Sequence, residues 1–281
     1  MTPDKQTRSE QREEARAKAK SLRDAQKKGD RRKRLALQLG LGGSVIGVLA
    51  LVAFALISGS QVKPAATPAN MMFNDGIKIG TNLEAFTPDY TPAAGEGGTN
   101  VPNIQVYLDY QCPFCRDFEL PNQSQIESWV SKGIATVQIH PISFLDGRGS
   151  PNEFSSRAAN AAVCVAELSP NSFFKFNSVL FSNQPQEGAP GPSNSELFEF
   201  AKSVGVANAE EVKSCIDEKR FGSWIATATE KALYEPLPGS GLSLKGTPFV
   251  LVNDQQFITE LQADFYSPAR FAQFLQSVTV N

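Results

Sequence analysis

The chain has 281 residues, 27 basic and 29 acidic, for a net charge of −2. That near-balance conceals an asymmetry: residues 1–34 hold 13 Lys+Arg and 6 Asp+Glu, leaving 14 basic against 23 acidic residues beyond them. A carboxyl-terminal part with a net charge of −9 argues against nucleic acid as its partner.

Residues 1–34 are almost devoid of apolar side chains. The Glu/Ala/Arg/Lys mixture from Gln11 to Lys28 forms a solvated helix or no fixed structure, and reads as a cytoplasmic tail without catalytic role. It closes on Arg31-Arg32-Lys33-Arg34. Leu35 to Ile57 then runs 23 residues with no formal charge and Gln38 as its only strongly polar side chain. As a helix that run is about 34 Å long, enough to cross a hydrocarbon core. The basic cluster places the tail in the cytoplasm and the rest of the chain outside. A cleaved signal peptide is the competing reading. Ala53-Phe54-Ala55 fits the cleavage pattern, but it lies inside an apolar run longer than a usual signal core, so an uncleaved anchor is favoured.

Residues 58–75 read as a linker. Within it Gly59 to Asn70 is rich in Ser, Pro and Ala, with Lys63 as its only charge, and predicts a flexible tether. Residues 76–281 suffice for one domain with an insertion. Ile77 to Gly80 predicts a short edge strand, Thr87 to Pro102 a surface loop, and Ile104 to Tyr110 a strand. Helical spacing follows from Phe118 to Val130, ended by Gly133, and Ile134 to Ile142 alternates like another strand.

Helical patterns then fill about 152–235: Ser155 to Leu168, a Phe-rich cluster from Phe173 to Phe181, a helix starting at Ser195, and segments over about 208–218 and 221–234. The regularly spaced aromatics read as core. Lys245 to Val252 predicts a strand entered through Thr247-Pro248. Gln256 to Leu261 predicts its hairpin partner around Asn253-Asp254, and Pro268 to Val278 a closing helix behind Ser267. The order is a β-α-β half, a helical insertion and a β-β-α half.

Chemistry concentrates at Cys112-Pro113-Phe114-Cys115, between the strand at 104–110 and a helix start. Two cysteines with two residues between them can close into a disulfide and reopen. The unpaired N–H groups and partial positive charge of a helix N-terminus favour the attacking thiolate. Pro113 suits the first helical position, where no N–H is needed. Half of a zinc site is the bland alternative. It lacks a second close cysteine pair, Arg116 stands where Gly is usual, and His140 is the only histidine, so no metal is expected. A purely structural pair at this spacing closes almost no loop and stabilises little.

From Ile77 to the C-terminus the chain resembles the thioredoxin fold, and more closely DsbA-like thiol oxidoreductases. The resemblance rests on Asp109-Tyr110-Gln111-Cys112-Pro113-Phe114-Cys115, on Gly246-Thr247-Pro248-Phe249, and on the helical insertion between them. With the leading anchor it is similar to membrane-tethered members from actinobacteria. It implies an α/β fold and no cofactor. Cys112 would be the exposed nucleophile and Cys115 the partner that completes the pair. Pro248 would be cis, with Thr247 helping to position substrate added as an extended strand. The implied partners are secreted or cell-surface proteins with cysteines, and a quinone-linked membrane oxidase for re-oxidation.

Phe114 departs from the family: it lacks the donor that a His before the second cysteine supplies, which bears on oxidising strength. Glu119 matches an acidic position near the family's dithiol, either assisting proton transfer to Cys115 or lying solvated on the helix. Asp109 either bonds near the site or ends its strand. His140 reads as structural. Cys164 and Cys215 fall in the insertion, where an oxidising compartment and the resemblance both favour a structural disulfide over two buried thiols. The leading function is disulfide formation in secreted proteins. A reductase or isomerase, including one for cytochrome maturation, is the alternative within the class, and a non-redox binding or chaperone domain the alternative outside it.

Overall fold

A computed structural model describes residues 20, 23, 27–29, 66–70, 74–92 and 101–279. The contacts divide the chain into Met1–Lys63 and Pro64–Asn281. In the first unit residues 20, 23 and 27–29 are helical; the expected anchor at 35–57 lies outside the described residues. Among the described residues no helix is long and apolar enough to cross a membrane.

The second unit is built on a five-stranded sheet. The strands are β1 (Ile77–Ile79), β2 (Asn103–Leu108), β3 (Thr136–Pro141), β4 (Phe249–Val252) and β5 (Gln255–Gln256), in the order β1-β3-β2-β4-β5. Only β2 and β3 run parallel, joined through helix α1 (Pro113–Ser131); the other pairs are antiparallel. Five helices then follow as the insertion: α2 (Phe154–Leu168), α3 (Phe173–Ser182), α4 (Asn194–Ser203), α5 (Ala209–Asp217) and α6 (Gly222–Tyr234). After β5 come the short α7 (Gln262–Phe265) and α8 (Pro268–Thr279). A β-α-β half and a β-β-α half thus share one sheet, with helices between them, which is the α/β thioredoxin type of order that the sequence implied.

Alternation along the strands sets the two faces. Ile104, Val106 and Leu108 of β2, with Val137, Ile139, Val250 and Val252, join the larger core together with Phe118, Ile126 and Val130 of α1. Phe271 of α8 packs edge-on against Phe118 with ring centroids 5.2 Å apart. The alternate residues Tyr107, Phe249 and Leu251 form a smaller cluster with Ile142, Ala232 of α6, Leu237 and Leu244. The central strands are buried on both faces, as a parallel pair requires.

Local signals fix most boundaries. α1 opens on Cys112, whose extended φ/ψ of −73°/116° turns the chain, with Pro113 next. It closes in a Schellman turn: Gly133, at φ +68°, and Ile134 donate to the carbonyls of Val130 and Trp129. Pro121 inside α1 has no N–H for the Asp117 carbonyl.

Three expectations are corrected. α4 starts at Asn194 rather than Ser195, capped by Ser193, because Glu196 stands three residues beyond Ser193 and completes a capping box. The hairpin partner of β4 shrinks to Gln255–Gln256, after which only the Phe257 N–H still reaches the Val250 carbonyl. Residues 66–70, expected within a flexible tether, rest on the insertion. Pro68 is buried, and Asn70 donates through its side chain to the Ala166 carbonyl (2.6 Å) and through its backbone to Glu167 (3.0 Å).

Candidate dithiol site

Leaving β2, the chain turns at Asp109–Gln111 and enters α1. The Asp109 carboxylate holds that turn. It accepts from the Gln111 N–H at 2.8 Å through one oxygen and from the Leu145 N–H at 2.9 Å through the other, joining the end of β2 to the segment after β3. Burial pushes this carboxyl up to about 6, against those two bonds. The expected strand to Tyr110 therefore ends at Leu108, and the Asp109 carbonyl instead accepts from the Cys112 N–H at 3.0 Å.

Cys112 and Cys115 are free thiols. Cys115, one turn into α1, is fully buried and receives the Asp109 N–H at 3.5 Å on its sulfur. Burial pushes its thiol well above the usual range. Cys112 is pulled down from 9.0 to about 7. The main cause is the hydrogen bond with the Cys115 side chain, which outweighs burial, and Thr247 acts in the same direction. One cysteine is thus prepared to ionise and the other to keep its proton. The resemblance implied an exposed Cys112, whereas the residue is 5% exposed, its sulfur turned toward the Thr247 carbonyl at 3.2 Å. Phe114 is the exposed member of the motif, at 47%.

Thr247 and Pro248 arrive from the strand side. Their peptide bond is cis, and β4 begins at the next residue. The Thr247 hydroxyl is buried with no partner while the Cys112 thiol bonds the carbonyl, so it is available to a Cys112 thiolate. Residues 241–243 and 245–249, with Gln256, line an open cleft of about 660 Å³ beside this bond.

Glu119, one helical turn beyond Cys115, is buried rather than solvated. Its carboxylate accepts from the Asn177 side chain at 3.1 Å, and Asn177 in turn accepts from the Tyr110 hydroxyl at 2.9 Å. Burial pushes Glu119 up to about 7, with the Asn177 bond opposing. His140 lies apart from this group. Its ring stacks on Tyr107 at 4.0 Å, approaches the Gln138 amide at 2.9 Å, and is pushed down to about 3 by burial.

Cys164 of α2 and Cys215 of α5 are joined by a disulfide and fully buried. Among the described residues no three His, Cys, Asp or Glu side chains gather as metal ligands would. Sequence reasoning missed Asn177, Gln184 and the inward role of Gln111. Gln111 donates to the Ala189 carbonyl at 3.0 Å, and Gln184 donates to the carbonyls of Tyr110 and Cys112. Amide side chains in helices and loops carry no periodic signal that separates a buried contact from a solvated one.

The family described as Thioredoxin matches residues 90–269. The chain is 30% identical over 184 residues to the serine/threonine-protein kinase PknE of Mycobacterium tuberculosis, in a match that takes in 64% of this chain and 29% of that protein. The chain therefore spans well under half of that relative's length. It is 26% identical over 165 residues to disulfide bond formation protein D of Bacillus subtilis, covering 58% of this chain and 68% of that one. Among solved structures, the reduced disulfide bond oxidoreductase DsbG of Mycobacterium tuberculosis superposes with a TM-score of 0.55 at 25% identity, covering 74% of this chain and 88% of that chain.

Proposed function

The chain belongs to the thioredoxin family, and from that premise we propose that it is a protein thiol–disulfide oxidoreductase that forms disulfides in secreted proteins outside the cytoplasm. One observation carries the reading: the Cys112 thiol is held down to about 7 beside a Cys115 thiol pushed up by burial, next to a cis Thr247–Pro248 bond. In the oxidised enzyme a substrate thiolate attacks the Cys112 sulfur and the Cys115 thiolate leaves, taking up a proton. A second substrate thiolate then attacks the mixed disulfide and releases Cys112 as a thiolate. Two electrons pass to the enzyme, and the low pKa of Cys112 makes it the better leaving group in that second step. The Thr247 hydroxyl supports the released thiolate, and the cleft along residues 241–249 receives an extended substrate segment.

In this reading Glu119 serves as the proton carrier for Cys115, a role supported by its burial one helical turn beyond Cys115 and by its raised pKa. Asp109 acts on the site through the turn it holds. Pro113 and Phe114 tune the dithiol, and Cys164–Cys215 serves stability. The basic tail stays in the cytoplasm and residues 35–57 anchor the chain as a single span, so that a membrane oxidase re-oxidises the dithiol. The matches to disulfide bond formation protein D and DsbG support the reaction class.

A second reading, a reductase or isomerase, is favoured by one residue. Phe114 offers the Cys112 thiolate no donor, which lowers oxidising strength relative to a motif with His. Equilibration of the Cys112–Cys115 pair with glutathione buffers decides between them. An oxidase requires a potential well above about −200 mV, and a value near the −270 mV of thioredoxin would turn the assignment to reduction. Failure of the oxidised protein to oxidise a reduced dithiol peptide would remove the oxidase reading altogether.

A further inference from the structure

The turn that presents Cys112 has no cap of its own. Cys112 is the N-cap of α1, and its side chain accepts no hydrogen bond from the first helical turn. Its carbonyl opens the helix, accepting the N–H groups of Cys115 at 3.1 Å and Arg116 at 3.3 Å. A further donor reaches the same carbonyl from outside the thioredoxin core. Gln184, just past the end of α3, places its side-chain nitrogen 2.9 Å from the Cys112 oxygen and 3.0 Å from the Tyr110 oxygen. An amide nitrogen has two hydrogens, and two carbonyls use both. The partners also fix the orientation of the amide, since its oxygen would face two other oxygens in the reverse sense.

The neighbouring contacts reinforce this one without reaching the sulfur-bearing residue. Tyr110 is held by Asn177, and Gln111 by the Ala189 carbonyl. Three consecutive residues of the turn are therefore gripped by α3 and the loop behind it, and Gln184 alone among these grips touches Cys112.

We propose that Gln184 is a positioning residue for the dithiol: by donating to the carbonyls of Tyr110 and Cys112, it fixes the turn that aims the Cys112 sulfur at Thr247 and at the start of α1. This rests on the reading of Cys112 as the reacting thiol. The insertion thus acts on the chemistry through one side chain. Without that donor the turn relaxes and the thiolate loses part of its stabilisation.

The test is the pH profile of Cys112 alkylation in the reduced full chain, with unfolding measured alongside. Gln184→Leu keeps the bulk and removes the donor. Its midpoint should rise by about half a pH unit, with about threefold less thiolate near pH 6.5 and a glutathione redox equilibrium about threefold less oxidising. Gln184→Glu sets a carboxylate against two carbonyls and should move the midpoint further, by more than about one unit. Gln184→Lys restores a donor of similar reach and should return the midpoint to the wild-type value or below it. Lower unfolding stability in the Leu and Glu variants with an unchanged Cys112 profile overturns the proposal, as does a Lys variant that behaves like Leu. A wild-type midpoint near the 8.5 of a free thiol would instead overturn the reading of Cys112 itself, and this inference with it.

Discussion

Replacing Glu119 with glutamine should make the folded chain more stable above neutral pH and change it little in mild acid. The carboxyl is buried one helical turn beyond Cys115, and burial raises it from 4.5 to about 7. Between those values the folded chain keeps a proton that the unfolded chain has lost. Stability is therefore full below about pH 4.5 and falls as pH rises through about 7. Full ionisation costs about 3 kcal/mol. Glutamine keeps the shape and still accepts from Asn177, whose side-chain amide lies 3.1 Å from the carboxylate, but it never ionises. Urea denaturation of the oxidised protein, where Cys112 and Cys115 cannot titrate, should place Glu119→Gln about 2–3 kcal/mol above wild type at pH 8.5. At pH 5 the difference should be under about 1 kcal/mol. Asp109, raised by burial to about 6, adds a loss of the same sign as pH rises, but it is present in both proteins and cancels in the comparison. Parallel pH profiles for the two proteins would refute the argument, because they would mean that Glu119 is solvated or paired at all pH values.

Alkylation of the reduced protein should modify Cys112 with a midpoint about 7 and leave Cys115 unmodified at that pH; peptide mapping that finds Cys115 labelled first would reverse their roles. Cys112→Ser should abolish oxidation of a dithiol peptide, while Cys115→Ala should accumulate mixed disulfides on a non-reducing gel. Replacing both Cys164 and Cys215 with Ala removes a cross-link over a sequence separation of 51. It should lower unfolding stability by about 4 kcal/mol and spare peptide oxidation; lost activity at unchanged stability would make the pair an electron relay. Protease added to intact cells should digest residues 76–281 and spare the basic tail, and a mature N-terminus near Phe54 to Leu56 would show cleavage instead.

The sheet was legible where burial leaves a periodic trace. Ile104, Val106 and Leu108 stand out at alternate positions because successive side chains of β2 point to opposite faces, and Cys112-Pro113 marks the start of α1 because the first turn needs no N–H from Pro. The end of β2 was overread by two residues, since Asp109 stops the strand through a carboxylate bonded to Gln111 and to Leu145, 36 residues away. No local pattern encodes a partner at that distance. Ser193 and Ser195 both precede an apolar stretch, and the spacing to Glu196 separates them once a capping box is required. Glu119 was placed near the dithiol by resemblance, but its burial depends on Asn177 and on the packing of α3 over α1. The tether was read from composition, which cannot register that Asn70 finds the open carbonyl of Ala166 at the end of α2.

The sheet's outer strands bear on how such a molecule survives its own clients. β1 has three residues and β5 two, and β1 is further covered by a bridge from Ile79 to Ala85 and by the Phe86 N–H on the Lys78 carbonyl. An oxidoreductase that meets unfolded chains meets their unpaired backbone, and long open edges would invite those chains to add as strands and remain. Here both borders are too short to template that addition. Under the proposed function, an extended client segment docks at the stretch before β4, beside the cleft at Thr247 and Pro248. Brevity at the borders is thus a guard against aggregation.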